Sequence, residues 1–471
     1  MKNKINTLHF VGIGGSGMSG IAEVLLNQGF IIQGSDKEES PSTRRLKNLG
    51  AKIFLEHDKK NIEGADVCVV SSAIKHNNPE LIAARKEKIP VVPRALMLGE
   101  LMRFKKGIAI AGSHGKTTTT SLISHILAES DFDPTYVIGG KLSSDGIGAR
   151  LGKGNILVAE ADESDGSFLS LSPFLAAVTN IDRDHLEFYG NDFNNLKEAF
   201  ISFIHRLPFY SSVVLCIEDK VIREIIPLLS RSVLTVGLTC EADIQASDIK
   251  QNGVEVLFKV TQKNYEDLQI KLSLPGSHNI LNALVAIGIA RELEVKNEVL
   301  KLSLENFTGV ERRFQFFENL ITPTGNKFSL VDDYGHHPTE VLATLNACQE
   351  SFPARKITLI FQPHRYSRTR DLFGEFVKVL AGVDRLILLE VYPAGEVEIE
   401  NADSRSLLKA IKFSGCKENS IVSDNESVIP ILLPSIKKND LILVMGAGSV
   451  CKLSGRILLQ CSQISQEATN E

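Results

Sequence analysis

The stretch "GSHGKTTTT", residues 112–120, brings together the residue types that phosphate chemistry needs. Gly112 and Gly115 let the backbone approach an anion, with Ser113 and His114 in the turn between them. Lys116 supplies a charge for phosphoryl oxygens, and the hydroxyl of Thr117, followed by Thr118, suits a hard divalent cation such as Mg²⁺. One departure stands out: Ile110 occupies the place of the leading glycine in G-x-x-x-x-G-K-[ST]. The expectation is a variant loop that still binds a nucleoside triphosphate, with Lys116 compensating charge on a transferring phosphoryl group.

A second glycine cluster lies near the start, in "VGIGGSGMSG". Gly12, Gly14 and Gly17 satisfy G-x-G-x-x-G, with Gly15 and Ser16 between them, so a diphosphate could sit at the positive N-terminus of the helix that follows. Asp36 ends the next strand-like run, "FIIQGSD", where a carboxylate can reach ribose hydroxyls. NAD is a natural first reading, any nucleotide diphosphate fits as well, and a tight turn with a capping Asp36 is the plain alternative. Ser71 and Ser72 end "ADVCVV", at a strand terminus where open sheets place ligands and where serines also cap loops.

Behind the phosphate loop come "NILVAEADESDGSF" and "FLAAVTNIDRDHLEFYG", each an apolar strand that ends in acids. Carboxylates at such positions can hold a cation that bridges phosphates, which makes Glu160 and His185 candidate ligands; solvated turn residues are the alternative. Further on, His278, Asn279 and Asn282 fit either a helix cap or an adenine contact. Near the C-terminus, "DDYGHHP" and "QPHRYSRTR" gather polar groups at strand ends. There His364, Arg365 and Arg368 could hold carboxylate and phosphate oxygens, or form a solvated charged surface.

The elements that position these residues alternate strand and helix along the whole chain, the rhythm of mostly parallel α/β sheets. A length of 471 residues exceeds one compact core. The fold class expected is α/β in three domains, over 1–105, 106–318 and 319–471, with the site in clefts between them. Hydrophobic residues at 43% and charged residues at 23% are ordinary for a soluble globular chain. Lys plus Arg at 52 against Asp plus Glu at 57 gives a net charge of −5, which excludes a general attraction to nucleic acid or an anionic membrane. Seven scattered cysteines without C-x-x-C spacing argue against a disulfide framework or zinc site and fit a reducing cytoplasm. Neither a signal-peptide pattern nor an apolar run of roughly 20 residues appears, so membrane insertion is not expected.

The ordered set "VGIGGSGMSGIAEVL", "GSHGKTTTT", "AEADESD", "TNIDRDHLEF", "PGSHNILNAL", "GVERRFQ", "DDYGHHPTEV" and "FQPHRYSRTRDLF" closely resembles the Mur ligases of peptidoglycan synthesis, over essentially the whole chain. The resemblance implies an N-terminal Rossmann-like domain for a UDP-sugar, a central P-loop ATPase domain and a C-terminal Rossmann-like domain that helps bind the amino acid. It also implies UDP rather than NAD on Gly14, Gly15, Ser16 and Gly17, with Asp36 and Ser71 nearby. The family's own ATP loop has the form G-[TS]-x-G-K-T without the distant glycine; Ser113 replaces the commoner threonine and keeps the hydroxyl.

Carried over residue by residue, the resemblance puts Lys116 on the ATP phosphates, Thr117 and Glu160 on one Mg²⁺, and Glu160 and His185 on a second. Asn279, Asn282, Arg313 and Asp333 match ATP positions, and Tyr334, His336, His364, Arg365 and Arg368 match the acceptor region. The activity implied joins L-alanine to the lactyl carboxylate of UDP-N-acetylmuramate through an acyl phosphate, in a monomer or weak homodimer. A recycling relative that adds a preformed tripeptide to the same sugar is the alternative. An NAD-dependent oxidoreductase would leave the phosphate loop idle, and a non-enzymatic ATP switch would leave the sugar loop idle.

Overall fold

The computed structural model describes residues 5–71, 73–140, 142, 148–415, 419–422 and 424–467. The first sheet is built from β1 (Thr7–Val11), β2 (Ile31–Ser35), β3 (Lys52–Phe54), β4 (Val67–Val70) and β5 (Val91–Pro93), in the order β3-β2-β1-β4-β5. All its pairings are parallel, so its strands are apolar on both faces: Leu8, Phe10 and Val11 of β1 are fully buried. Helices α1 (Ser16–Asn27), α2 (Pro41–Asn48), α3 (Pro79–Lys86) and α4 (Arg94–Arg103) connect and cover these strands. α1 is the helix expected after the glycine loop; α2 is a polar helix that buries only Thr43 and Leu46. The switch in strand order falls between β1 and β4, which opens the sheet beside the glycine loop.

The second sheet has ten strands: β6 (Lys106–Ala111), β7 (Thr135–Val137), β8 (Ala149–Arg150), β9 (Ile156–Glu160), β10 (Leu175–Val178), β11 (Ser212–Cys216), β12 (Ser232–Gly237), β13 (Ile244–Asn252), β14 (Glu255–Gln262) and β15 (Leu268–Leu272). Its order, β15-β14-β13-β12-β11-β10-β6-β9-β7-β8, puts β6 at the centre with β9 on one side and β10 on the other. Helix α5 (Lys116–Glu129) follows β6 and is buried almost all round, while α6 (Phe193–Ile204), α7 (Lys220–Ile225), α8 (Ser277–Glu292) and α9 (Asn297–Asn306) complete this layer. The phenylalanines of α6, Phe200 and Phe203, pack on Phe168 with ring centroids 5.3 and 5.1 Å apart.

The third sheet, in the order β16-β17-β21-β18-β19-β20, comprises β16 (Gln315–Ile321), β17 (Lys327–Asp333), β18 (Ile357–Phe361), β19 (Arg385–Leu389), β20 (Asn419–Val422) and β21 (Leu441–Met445). It is parallel except for β16, which runs antiparallel to β17. Helices α10 (Pro338–Ser351) and α11 (Tyr366–Asp371) start beyond the carboxyl ends of β17 and β18. The expected division after residue 318 falls inside β16, so the third sheet begins before it. The first two sheets lie in one compact unit, residues 1–250, 257–273 and 278–310; the second unit comprises 251–256, 274–277 and 311–471. The six described cysteines are free thiols, and among the described residues no helix is long and apolar enough to cross a membrane.

One buried polar cluster ties the first sheet together. The carboxylate of Glu80 on α3 accepts hydrogen bonds from the Ser35 hydroxyl at 2.6 Å and the Asn61 amide at 2.6 Å, with His57 Nδ1 at 3.1 Å and His9 Nε2 at 3.6 Å. Burial alone would push this carboxyl up, but the nearby His9 ring and the bonds from Ser35 and Asn61 hold it below the ordinary carboxylate value. A depressed folded value stabilises the protein above the ordinary carboxylate range, and that contribution is lost as pH falls through the folded value. Glu80→Ala is expected to destabilise the unit that holds the first sheet by about 3 kcal/mol at pH 7. Denaturant unfolding followed from pH 7 to about pH 3 checks this: the gap between wild type and variant should narrow below the ordinary carboxylate range, and equal stability at pH 7 would refute it.

Candidate functional site

The phosphate loop is shorter than the sequence pattern suggested. Ile110 is fully buried within β6, in register with Ala177 and Glu160, and therefore could not serve as a loop glycine. The loop proper is Gly112 to Gly115, and both glycines are required. Gly112 has φ +135°, and a Cβ there would stand 2.1 Å from Thr179 Oγ1; Gly115 has φ +79°, and its Cβ would stand 2.5 Å from Asn282 Oδ1.

The segment after β10 backs this loop. Ser113 N donates to Asn180 O at 3.1 Å, His114 N to Asn180 Oδ1 at 2.8 Å, and Thr179 Oγ1 donates to His114 O at 2.6 Å. The Ser113 and His114 amides, expected to face phosphate, are thus turned onto the protein and fix the loop from behind. The N–H groups that point outward by helix geometry are those of the first turn of α5, from Lys116 through Thr118. Asn279 and Asn282 are neither caps nor loop residues: both are buried within α8, where Asn282 accepts from Thr119 Oγ1 at 3.2 Å and donates to Asn279 Oδ1 at 3.2 Å.

Lys116 Nζ donates to the carbonyls of Gly112 at 2.6 Å and Ser113 at 3.2 Å, and to both oxygens of Glu163 at 2.8 and 3.1 Å. Burial opposes its charge, but Glu163, Asp162 and Glu160 together hold the ammonium above its ordinary value. Burial is also the main influence on Glu163, whose carboxyl is pushed up to about 7 despite the attraction of Lys116. Glu160 ends β9 and accepts from Gly139 N at 2.7 Å. His185 lies in the loop after β10 with φ +55°, its Nε2 3.4 Å from Asp184 Oδ2. Strands β9 and β10 thus place acids on the two sides of β6, as the sequence suggested. The Thr117 hydroxyl and the carboxylates of this group are hard oxygen donors of the kind Mg²⁺ takes. Against the carboxylates of Glu160, Asp162 and Glu163 stand the Lys116 ammonium and the Arg94 guanidinium, 3.7 Å from Asp162.

In the first sheet, Gly14 N donates to Asp36 Oδ2 at 2.7 Å, and Lys37 N to Oδ1 at 2.8 Å. Asp36 therefore closes the glycine loop on itself, with one backbone bond on each of its oxygens. A cavity of about 270 Å³ is bounded by Gly15 and Gly17 of that loop, Ser71, Arg94, Glu160 and Asp162. It brings the glycine loop of the first sheet and the acids that end β9 into one space. The side chain of Ser16 and the whole of Ser72 lie outside the described residues.

The second unit carries the C-terminal candidates at the ends of β17 and β18, the strands that flank β21. Asp333 accepts from Phe314 N at 2.9 Å and Gly335 N at 2.7 Å; burial raises its carboxyl above the ordinary value, against the opposing charge of Arg313. Like Asp36, it braces its own turn. The Arg313 guanidinium lies over the Tyr334 ring, 5.0 Å from the centroid. The His336 ring meets those of Tyr334 at 5.4 Å and His364 at 5.6 Å, and His364 stacks on Tyr392 at 5.5 Å. Arg365 has φ +71° and Arg368 is buried, its Nη1 3.5 Å from His364 O. Tyr334, His336, His364 and Arg368 therefore form one cluster.

Residues 7–106 match the model of the Mur ligase family catalytic domain, 110–290 the Mur ligase middle domain, and 312–448 the Mur ligase glutamate ligase domain. The chain belongs to the Mur ligase family. It is 53% identical to the UDP-N-acetylmuramate–L-alanine ligase of Azoarcus sp. strain BH72, over 97% of this chain and 98% of that one. Against the enzyme of the same name from Dechloromonas aromatica it is 52% identical, over 97% and 99%. Among solved structures, the UDP-N-acetylmuramate-alanine ligase of Thermotoga maritima matches with a TM-score of 0.82 at 31% identity, covering 97% of this chain and 99% of that one. A murein peptide ligase from Psychrobacter arcticus shares the fold, with a TM-score of 0.72 at 22% identity over 97% and 98%.

Within this Mur ligase, sequence reasoning passed over Asp162, Glu163, Asn180 and Arg94. The first two stood in the quoted acid cluster, but only the fold shows which acid faces Lys116. Arg94 is a single cation after a strand, a signal too common to single out. Gly112→Ala is expected to lower ATP affinity at least about tenfold, because the loop must move away from Thr179. Titration with a fluorescent ATP analogue checks this, and unaltered affinity would refute the role of that close approach.

Proposed function

We propose that this chain joins L-alanine to the lactyl carboxylate of UDP-N-acetylmuramate, consuming ATP and releasing ADP and phosphate, as a step in cytoplasmic peptidoglycan precursor synthesis. The observation that carries the reading is the cavity shared by the glycine loop of the first sheet and the acids beside Lys116. A sugar nucleotide anchored by its diphosphate at the start of α1, beside Gly15 and Gly17, would have its far end in the cavity with Glu160 and Asp162. Relatives about half identical over the full length bear the L-alanine name, which favours alanine over a preformed peptide.

In this reading the first domain, 1–105, holds the UDP-sugar, the central domain holds ATP, and the third, beginning near Glu311, holds the amino acid. The lactyl carboxylate attacks the γ-phosphorus, the bond to the β-phosphate oxygen breaks, and ADP departs. The neutral amine of alanine then attacks the acyl phosphate carbonyl, phosphate leaves with the electron pair of the cleaved C–O bond, and an amide forms. Lys116 exchanges part of its contact with Glu163 for phosphoryl oxygens, and the first turn of α5 supplies N–H donors. Thr117, Glu160 and His185 would hold Mg²⁺, which supplies positive charge for the triphosphate. The protein thus mainly positions groups and balances charge. Tyr334, His336, His364, Arg365 and Arg368 serve the amino acid, the buried Arg368 fork being suited to its carboxylate.

Mass spectrometry of the product from UDP-N-acetylmuramate, ATP and Mg²⁺ with L-alanine, glycine, L-serine or tripeptide tests this directly. An alanine adduct with equal ADP release is expected, and a tripeptide adduct alone would overturn the reading. Lys116→Ala is expected to abolish ligation while leaving UDP-sugar binding measurable; an active variant would remove Lys116 from phosphoryl transfer. For Arg368→Ala, steady-state kinetics should show KM for alanine rising by about tenfold or more and KM for ATP moving far less.

A further inference from the structure

From the geometry of the shared cavity we infer that Arg94 is the residue that binds the lactyl carboxylate of the sugar substrate and aims it at the phosphate loop. This deepens the ligase reading above and rests on it. Arg94 opens α4 directly after β5, at the carboxyl edge of the first sheet. Its Nη1 lies 2.9 Å from where a Cβ at residue 17 would stand, and its Nη2 lies 3.7 Å from Asp162 Oδ2. One guanidinium thus reaches from the glycine loop to the acids beside Lys116. With Ser71 it also lines a second cavity, of about 420 Å³.

Two physical arguments assign it to the carboxylate. The cavity already holds Glu160 and Asp162, so a third carboxylate entering as nucleophile meets repulsion at short range. A cation must stand where the substrate passes, and Lys116 is engaged by Glu163 and two carbonyls. Arg94 stands there, 20% exposed; its 3.7 Å separation from Asp162 exceeds a hydrogen bond and leaves the fork's donors for a ligand. The fork also matches a carboxylate in a planar, two-bonded geometry. The diphosphate, by contrast, has its own donors at the N-terminus of α1. In this arrangement Gly17 has a second task, since any side chain there would displace the Arg94 head group.

The test is calorimetric binding of UDP-N-acetylmuramate and of UDP-N-acetylglucosamine, which lacks the lactyl carboxylate, in the presence of Mg²⁺ and a non-hydrolysable ATP analogue. Arg94→Ala is expected to weaken the muramate at least about tenfold and to leave the glucosamine compound within about twofold. Arg94→Lys should fall between wild type and Arg94→Ala for the muramate alone, and it serves as the readout if the alanine variant does not fold. Equal weakening of both nucleotides would assign Arg94 to the diphosphate or to a structural role and overturn the inference; unaltered binding of both would overturn it too. Failure of the wild-type protein to bind the muramate would instead refute the ligase reading, separately from Arg94.

Discussion

A buried ammonium at the head of α5 is the constraint around which the central sheet is arranged. Removing Lys116 from water is unfavourable unless acceptors surround it, and loss of its carboxylate partner would cost about 3–5 kcal/mol. Four acceptor contacts meet the need: two carbonyls of the loop and both oxygens of Glu163. The carbonyls face inward because Gly112 adopts a backbone conformation that a side chain would forbid. Glu163 reaches the lysine because β9 lies next to β6, and its backbone carbonyl is in turn held by the hydroxyl of Tyr189. Strand order, loop glycine and acid cluster are therefore parts of one solution to one desolvation problem.

That solution leaves the site poised rather than complete. The pairing of Lys116 with Glu163 occupies the charge that a phosphate would use, while Glu160 and Asp162 add negative potential. In the proposed ligation a triphosphate and a carboxylate, both anions, must still meet here. Counter-charge would then come from a divalent cation at the hard oxygen donors and from the proposed guanidinium on the sugar side. Ligand entry and charge balance are thereby coupled, which suits a reaction in which two anions must be brought together without exposing an acyl phosphate to water.

Much of this was legible in the sequence. The glycine loops, Lys116, Glu160 and the parallel strands βα by βα follow from residue type and period, because parallel strands buried on both faces read as apolar runs that end at the site. The short elements were not legible: α2 is a polar helix that buries only Thr43 and Leu46, α4 is buried along most of its length, and β16 reads as "QFFENLI", whose exposed and half-buried residues give no clear alternation. Also hidden were contacts that only tertiary structure creates. Asn282 read as either a cap or an adenine contact; it packs from inside a helix on the phosphate loop. Glu163 could not be told from its acidic neighbours until the lysine faced it.

The acids Asp36 and Asp333 carry the more general lesson. Each stood at a strand end where a ligand is expected, and each spends its oxygens on the backbone N–H groups of the loop beside it. Tight loops present amides that no strand or helix can pair, and an unpaired buried amide is costly, so the nearest carboxylate is drawn to them. A carboxylate at a strand end is therefore as apt to shape a ligand loop as to touch the ligand. The gain is preorganisation: a glycine loop already closed by Asp36 loses less conformational freedom when a diphosphate settles on it, and the saving appears as affinity.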